Sequence, residues 1–235
     1  MLFKTAILCI SGLLCKMKKI FLLFVLIFFT CGFSDIKQKD EYTCAPVCAA
    51  NCLINILSVK KDEEKLVKNF IRRAKTDKNG TTAQNLIKAL EIYLKKNHIN
   101  TEIKYSGIRI VDKKYRAKKP INICKEIQNG SSIILNIGIY NSKNGTFTRN
   151  GGHYINANAC KGNKILISDP YAKNSEPFYI ELEKINFAKI INPKDNEKYS
   201  RKSFNYQVIT PGFDYLQPDE KAILNGIIKI YPIYL

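Results

Sequence analysis

The sequence lacks the patterns that identify several large classes of protein. No internal repeat, heptad array, phosphate-binding loop or dinucleotide-binding glycine fingerprint occurs in its 235 residues. These absences argue against repeat proteins, coiled coils and nucleotide-dependent enzymes, and we expect no cofactor. Histidine is also scarce, because the chain contains only His98 and His153. His98 lies in a polar loop, so His153 is the better candidate for a functional imidazole.

Acidic residues are few compared with basic ones. The chain has 38 Lys and Arg against 20 Asp and Glu, which gives a formal net charge of +18. A field of this sign favours anionic partners. The lysines are nevertheless scattered over every segment, with no arginine-rich cluster and no recognisable nucleic-acid module, so we expect no nucleic-acid partner. With 46% apolar and 25% charged residues, the composition is that of a globular protein with a solvated, lysine-rich surface.

The first 34 residues contain no acidic residue and two apolar runs, each too short to span a bilayer. A translation start at Met17 would give a basic segment, an apolar segment and small residues for cleavage, which is typical of a signal peptide. We therefore expect residues 1–34 to be a signal peptide and residues 35–235 to form the exported domain. A lipid anchor at Cys31 is the less favoured alternative, and we expect membrane contact only through this segment.

Five cysteines follow the signal segment, and an odd number in an oxidising compartment leaves at least one free thiol. They are Cys44, Cys48, Cys52, Cys124 and Cys160. The first three are spaced four residues apart, which would stack them along one helical face. There is no CxxC pair and no second cluster, so we expect no metal site.

The stretch QKDEYTCAPVCAANCLINIL, residues 38–57, indicates a polar loop that leads into an apolar, buried helix. Pro46 suits the first turn, which places Cys44 at the start of the helix. Unpaired backbone N–H groups and the positive end of the helix dipole favour a thiolate there. Cys48 and Cys52 lie deeper and are better interpreted as small core residues. Most buried cysteines at helix starts are inert, so this position alone does not identify a nucleophile.

The stretch GGHYINANACKGNKILISDP indicates a β-hairpin with His153 at the start of one strand and Asp169 at the end of the next. A simple four-residue loop would pair Asp169 with Asn156. Contact between His153 and Asp169 therefore requires a shifted register, a bulge or a long reach. Gly151 and Gly152 would let the backbone come close to a substrate. Each residue also has a structural interpretation, because a strand histidine is often a core residue and Asp-Pro often ends a strand.

The order of four residues in this chain resembles the C39-like cysteine peptidases of the papain-like superfamily. Gln38 precedes Cys44 by six residues, an apolar helix follows, and Gly-Gly-His and then Asp-Pro come more than a hundred residues later. The resemblance covers residues 36 to about 190. It implies an α+β, papain-like fold in which a helical lobe with a buried nucleophile helix packs against an antiparallel β-sheet lobe.

The resemblance also implies a role for each of these residues. Cys44 would be the nucleophile, His153 its general base and acid, and Asp169 the group that orients the imidazole. The Gln38 side-chain amide would stabilise the oxyanion together with the Cys44 backbone N–H. Peptide-bond hydrolysis of a peptide or protein substrate, through a thioacyl-enzyme, is the implied reaction.

Two alternatives remain open from the sequence. An acyltransferase would use the same triad, because an amine can intercept the thioester as well as water. A non-catalytic binding protein of the same fold is the other, since Thr43 and Ala45 stand where the family commonly has Asp or Asn and Gly. If Cys44 must stay reduced, structural disulfides would link the helix cysteines to Cys124 and Cys160, because Cys48 and Cys52 are poorly placed to bond each other.

The rest of the chain predicts further elements around these two halves. Apolar periodicity predicts helices over 63–74, 82–96 with a threonine cap, and 121–128. Strands are predicted over 102–111, 132–140, 178–182, 207–210 and 227–231, the last two as an addition to the family core. Residues 141–150 are predicted to be a polar loop that overhangs the cleft.

Overall fold

The computed structural model describes residues 36–57, 62–144, 146–171, 176–185, 189–191, 206–210 and 212–233. The proposed signal peptide, the Met17 start and the Cys31 anchor lie outside the described residues. Within them, no helix is both long enough and apolar enough to cross a bilayer. The expected α+β class is confirmed, since three helices come first and a largely antiparallel sheet follows.

Four α-helices lie within the described residues: α1 (Cys44–Leu57), α2 (Glu63–Arg73), α3 (Ala83–Lys96) and α4 (Ile123–Gln128). The caps explain where α2 and α3 begin. The Asp62 side chain accepts from the Lys65 N–H, and the Thr82 hydroxyl accepts from the Asn85 N–H, as the threonine cap predicted from the sequence requires.

Eight strands form one sheet in the described part of the chain. They are β1 (Thr101–Gly107), β2 (Ser132–Lys143), β3 (Thr146–Lys161), β4 (Lys164–Ser168), β5 (Phe178–Lys184), β6 (Lys189–Ile191), β7 (Tyr206–Ile209) and β8 (Glu220–Pro232). The order is β1-β8-β2-β3-β4-β5-β7, with every neighbour antiparallel, and β6 pairs parallel to β3. An additional pairing of β7 with β8 bends the sheet round on itself. The late strand β8 is therefore central to the sheet, between β1 and β2.

Alternate side chains of the same strands supply two separate apolar cores. On β2, Ile134 packs with the helices α1 to α3 in the helix-side core, while Ile133 and Leu135 point to the opposite face and join the far-side core. Successive side chains of a strand point to opposite faces, so a strand buried on both sides is apolar throughout. Helix α4 contributes Ile123 to the far-side core. Helix α1, which carries Cys44, and the short helix α4 thus lie on opposite faces of the sheet.

This division explains why the predicted disulfide pairing is wrong. Cys124 of α4 and Cys160 of β3 bond each other, whereas Cys44, Cys48 and Cys52 are free. Both bonded cysteines pack against the far-side core, while the helix cysteines belong to the helix-side core. The sheet separates the two groups, so no helix cysteine can reach Cys124 or Cys160.

The predicted loop over residues 141–150 is also wrong. Strand β2 continues to Lys143 and β3 begins at Thr146, so a tight hairpin occupies this segment. Asn141 pairs with Thr148 on one side and with Glu220 of β8 on the other. The Asn, Lys and Gly residues of this segment have low strand propensity, but pairing with the neighbouring strands overrides it. The predicted strand over 102–111 likewise ends earlier, at Gly107.

Candidate active site

The segment that enters α1 fixes the position of Cys44. An Asp40 carboxylate oxygen accepts the backbone N–H groups of Tyr42 (3.1 Å) and Thr43 (2.8 Å), which tightens the turn before the helix. Cys44 is the first helical residue, as the sequence predicts, and Pro46 lies within the first turn. Only 6% of the Cys44 surface is exposed, and that part faces an open cleft.

A polar side chain inside α1 ties the incoming chain to this helix. The Asn51 side chain is 1% exposed, accepts the Ile36 N–H at 2.9 Å and donates to the Ile36 carbonyl at 3.3 Å. Asn156 of β3 holds the other side of the helix, because its Nδ2 donates to the Cys48 carbonyl at 3.1 Å. These two asparagines lock α1 to its neighbours, so the thiol at its N-terminus has a fixed position.

His153 and Asp169 are in direct contact. Nε2 of His153 lies 2.6 Å from Oδ1 of Asp169, and both residues are buried. The same Oδ1 accepts the Tyr171 backbone N–H at 2.8 Å, and Oδ2 accepts the Tyr215 hydroxyl at 3.0 Å. Three donors therefore hold the carboxylate, and the carboxylate holds the imidazole in one orientation.

A β-bulge brings these two residues to one face of the sheet. Cys160 pairs with Ile165 near the turn, but the register then shifts between Ala157 and Ala159, which leaves the residue between them unpaired. Beyond the bulge Asn156 pairs with Ser168, one residue short of the partner that a simple hairpin would give it. Because side chains alternate, this one-residue shift moves Asp169 to the face that carries His153.

The charges of the pair reinforce each other. Burial acts to lower the pKa of His153. The Asp169 carboxylate has a larger opposite effect, to which Cys44 adds, so the pKa lies well above its ordinary value. Burial alone would raise the pKa of Asp169, and the charge and hydrogen bond of His153 instead lower it. A carboxylate beside Nε2 requires a proton on that nitrogen, which leaves Nδ1 for the Cys44 thiol.

Two tyrosine rings cover the imidazole. Tyr171 and Tyr215 meet His153 edge-on, with ring centroids 6.4 Å and 5.6 Å away. They also contact each other at 5.2 Å. Burial and the neighbouring Asp169 charge raise the pKa of Tyr215, so its hydroxyl remains a donor to the carboxylate. Sequence reasoning missed both tyrosines, and no local signal identifies Tyr215, which lies 46 residues after Asp169.

Gln38 lies in the segment that leads into α1, next to the strand end that carries Asp169. Its backbone N–H donates to the Pro170 carbonyl at 3.0 Å, and Lys37 Nζ donates to the Asp169 carbonyl at 2.9 Å. Side-chain Nε2 donates to the Asp40 carbonyl at 2.7 Å. This bond uses one of the two N–H groups of the amide, so the second remains for another acceptor.

The two glycines before His153 occupy different environments. Gly152 is exposed and lines the cleft, whereas Gly151 is half-buried and does not line it. A Cβ atom at Gly152 would stand 2.6 Å from Nη2 of Arg149. The glycine therefore leaves room for the guanidinium to lie across the strand beside Cys44.

The cleft has a volume of about 590 Å³. Its walls are the start of α1, the turn between α2 and α3, the first turn of α3 and the segment after β1, and its floor is formed by β2 and β3. The Tyr154 hydroxyl of the floor donates to the Thr81 carbonyl of the wall at 3.2 Å. Tyr42 and Ile110 expose apolar surface at the rim. This volume suits an extended peptide segment or a small ligand.

The other two helix cysteines differ from Cys44. Cys48 is completely buried and Cys52 is 2% exposed, and neither lines the cleft. Burial raises the pKa of Cys52 to about 12, although hydrogen bonds from Asn156 and Ser132 act in the opposite direction. Across the described residues, no group of three or more His, Cys, Asp or Glu side chains is gathered around a common point that could hold a metal ion.

Comparison with known proteins assigns the chain to a family. No curated protein matches it. The peptidase domain of Streptococcus ComA, a bi-functional ABC transporter involved in a quorum sensing pathway, gives a TM-score of 0.41 at 14% identity, over 86% of this chain and 99% of that chain. A putative C39-like peptidase from Bacillus anthracis gives a TM-score of 0.44 at 10% identity, over 83% of this chain and 95% of that one. The model of the Peptidase_C39 like family matches residues 31–199, and the chain belongs to that family.

Proposed function

We propose that the protein is an exported cysteine peptidase of papain-like architecture that cleaves peptide bonds through Cys44, His153 and Asp169. One observation carries the proposal: a buried imidazole lies 2.6 Å from a carboxylate, and both this carboxylate and the Cys44 thiol act to raise the pKa of the imidazole. That thiol stands at a helix start and faces an open cleft. Membership of the Peptidase_C39 like family supports a peptidase.

The reaction begins with a proton transfer within the pair. Nδ1 of His153 takes the thiol proton, and Asp169 stabilises the imidazolium that forms. The Cys44 thiolate then attacks the carbonyl carbon of the scissile bond. The negative charge moves to the carbonyl oxygen, where the Cys44 backbone N–H and the second N–H of the Gln38 amide donate to it.

The imidazolium next protonates the leaving amine, and the C–N bond breaks to give a thioacyl-enzyme on Cys44. A water molecule, deprotonated by His153, attacks the thioester. The carboxylic acid product leaves and the thiol recovers its proton. The raised pKa of His153 favours the imidazolium that the first half of the reaction requires.

Export is part of the proposal and has support of its own. A disulfide such as Cys124–Cys160 is typical of proteins that fold in an oxidising compartment. The acid-free apolar segment at the start of the chain fits a signal peptide. Fusion of residues 1–34 to a reporter that is active only outside the cytoplasm tests this part separately.

The test of the chemistry is selective alkylation. A peptide-based thiol probe should label Cys44 in the folded protein, and mass spectrometry of the digest should find no adduct on Cys48 or Cys52, which do not face the cleft. His153→Ala should reduce the labelling rate, and Cys44→Ala should abolish cleavage of a peptide library. Equal labelling of Cys44 and Cys48, or full peptidase activity in Cys44→Ala, would overturn the proposal. Product analysis with an added amine separates hydrolysis from acyl transfer.

A further inference from the structure

The cleft beside Cys44 has a marked excess of positive charge. Four cationic side chains line it against two carboxylates: Lys75, Lys78, Arg109 and Arg149 against Glu41 and Asp77. One of the two carboxylates already has a hydrogen-bond partner within the turn between α2 and α3, because Asp77 Oδ1 accepts the Asn79 N–H at 2.7 Å. The proportion of basic to acidic residues is about the same as in the chain as a whole, but here these side chains line one cavity, where a bound ligand would meet them together.

Two helix starts add to this field. Helix α1 begins at Cys44, and the first turn of α3, from Ala83 to Asn85, forms another part of the cleft wall. Neither helix carries an acidic residue in its first turn. The positive ends of both helix dipoles therefore lie at the cavity wall, although the Asp40 carboxylate before α1 offsets part of the positive potential there.

Arg109 and Arg149 line the same cleft from different elements. Arg109 follows β1, whereas Arg149 belongs to β3 and lies across Gly152. Burial raises the pKa values of Tyr140 and Tyr154, and the charges of both arginines act to lower them. Each guanidinium has five N–H donors, so it can donate to a ligand in the cleft that it lines as well as to groups of the protein.

Asn136 is a buried polar side chain that faces the same cavity. It lies on β2 directly opposite Tyr154 of β3, is 5% exposed and lines the cleft. Its side-chain amide makes no hydrogen bond to any residue that the structure describes, and it lines the cleft. A ligand in the cleft can therefore hydrogen-bond to this amide.

We propose that this part of the cleft is a carboxylate-binding subsite that selects peptides with a carboxylate close to the scissile bond. Arg109 and Arg149 donate N–H groups to the two carboxylate oxygens, and the Asn136 amide donates to one of them. The two helix starts and the lysines add long-range attraction. This inference rests on the proposed peptidase function, because it names the substrate class of the same site.

The primary test compares peptides that differ at a single position. In a peptide that the enzyme cleaves, Glu, Gln and Lys are placed in turn at each position near the scissile bond. At the position that reaches the subsite, kcat/KM should be about 10- to 100-fold higher for Glu than for Gln, which is the effect of hydrogen bonds to a charged group. Arg149→Gln and Arg109→Gln should each bring this Glu-to-Gln ratio towards one. Arg72→Gln removes an exposed arginine of α2 outside the cleft and should leave the ratio unchanged.

A charge-reversed variant separates recognition from a merely structural role. Arg149→Glu should prefer the Lys peptide to the Glu peptide, which no loss of folding or of cleft shape would produce. The source of the carboxylate is decided by a further pair of peptides. If an internal Glu is recognised, amidation of the peptide C-terminus leaves the preference in place, whereas recognition of a free C-terminus makes the preference disappear on amidation.

The outcomes distinguish the two proposals. Equal kcat/KM for Glu and Gln peptides at every position, in a protein that cleaves them, would overturn the subsite and leave the peptidase intact. If Cys44 is alkylated but no peptide is cleaved, the peptidase proposal fails. The subsite is then tested by binding of fluorescent Glu and Gln peptides to Cys44→Ala, where equal affinity would overturn it and an affinity for Glu that falls in added salt would support it.

Discussion

Nε2 of His153 and Oδ1 of Asp169 lie 2.6 Å apart, although they belong to different strands of a hairpin whose simple register would put them on opposite faces. The carboxylate also accepts the Tyr215 hydroxyl and the Tyr171 N–H, so its orientation does not depend on the histidine. An imidazole fixed in this way presents its other nitrogen to the helix start that carries Cys44. The predictions below test each part of this arrangement.

Removal of the Asp169 carboxylate should change the pH dependence of the reaction. The pKa of His153 is raised mainly by Asp169, against the effect of burial, so Asp169→Ala should lower that pKa. The imidazolium then loses its proton at lower pH, and the alkaline limb of kcat/KM should move to lower pH. The maximum should fall by about 10² to 10⁴, the range of general acid-base catalysis. Asp219→Ala, at an exposed position, is the matched control. An unchanged alkaline limb would reduce the site to a Cys44–His153 dyad.

The Tyr215 hydroxyl should stabilise both the fold and the ion pair. Tyr215→Phe removes the 3.0 Å hydrogen bond to Asp169 Oδ2 and retains the ring that covers His153. The loss of a hydrogen bond to a charged group should lower the free energy of unfolding by about 1.5–3 kcal/mol, measured by urea denaturation. The value of kcat should fall more than KM changes, because Tyr215 does not line the cleft. Tyr179→Phe, on the exposed face of β5, should change neither quantity.

Gln38 should affect the height of the pH profile and not its limbs. Gln38→Ala removes the proposed oxyanion donor but no titratable group, so the plateau of kcat/KM should fall by about 10² to 10³ at unchanged limb positions. Gln128→Ala, at the exposed end of α4, serves as the control. If the Gln38 amide only shapes the turn through its bond to the Asp40 carbonyl, the free energy of unfolding will fall while the plateau remains.

The disulfide should stabilise the protein without taking part in catalysis. Cys124 and Cys160 are 36 residues apart, and a bond that closes a loop of this length should add about 2–4 kcal/mol to the free energy of unfolding. The double variant Cys124→Ser/Cys160→Ser should lose this amount and retain Cys44 alkylation. Added reductant should lower the free energy of unfolding of the wild type by the same amount and should not change that of the double variant. Mass spectrometry after unfolding should find Cys44, Cys48 and Cys52 free, and a different set of free thiols would contradict the pairing.

Much of the local structure follows from the sequence because it depends on neighbouring residues. Amphipathic spacing and the threonine cap predict α2 and α3 to within a residue at most ends. Pro46 predicts that Cys44 begins a helix, which the structure confirms. The glycine in the turn at Gly162 predicts the β3–β4 hairpin, and in the structure this glycine has a φ of +63°. The order of the four proposed catalytic residues also led to the family, which the match over residues 31–199 confirms.

The tertiary structure alone decided how these parts meet. The bulge between Ala157 and Ala159 depends on the pairing of β3 with both β2 and β4, and no glycine or proline at this point of the sequence indicates it. The sheet separates Cys124 from the helix cysteines, so the disulfide follows from which face each helix covers. The cleft that joins Arg109, Arg149 and Asn136 draws on the segment after β1 and on both strands of the β2–β3 hairpin. Side-chain periodicity and helix capping depend on neighbouring residues and can be recognised in the sequence. The register of the strands, the sheet face that each helix covers and the residues that meet in the cleft depend on contacts between different segments, which form only in the folded chain.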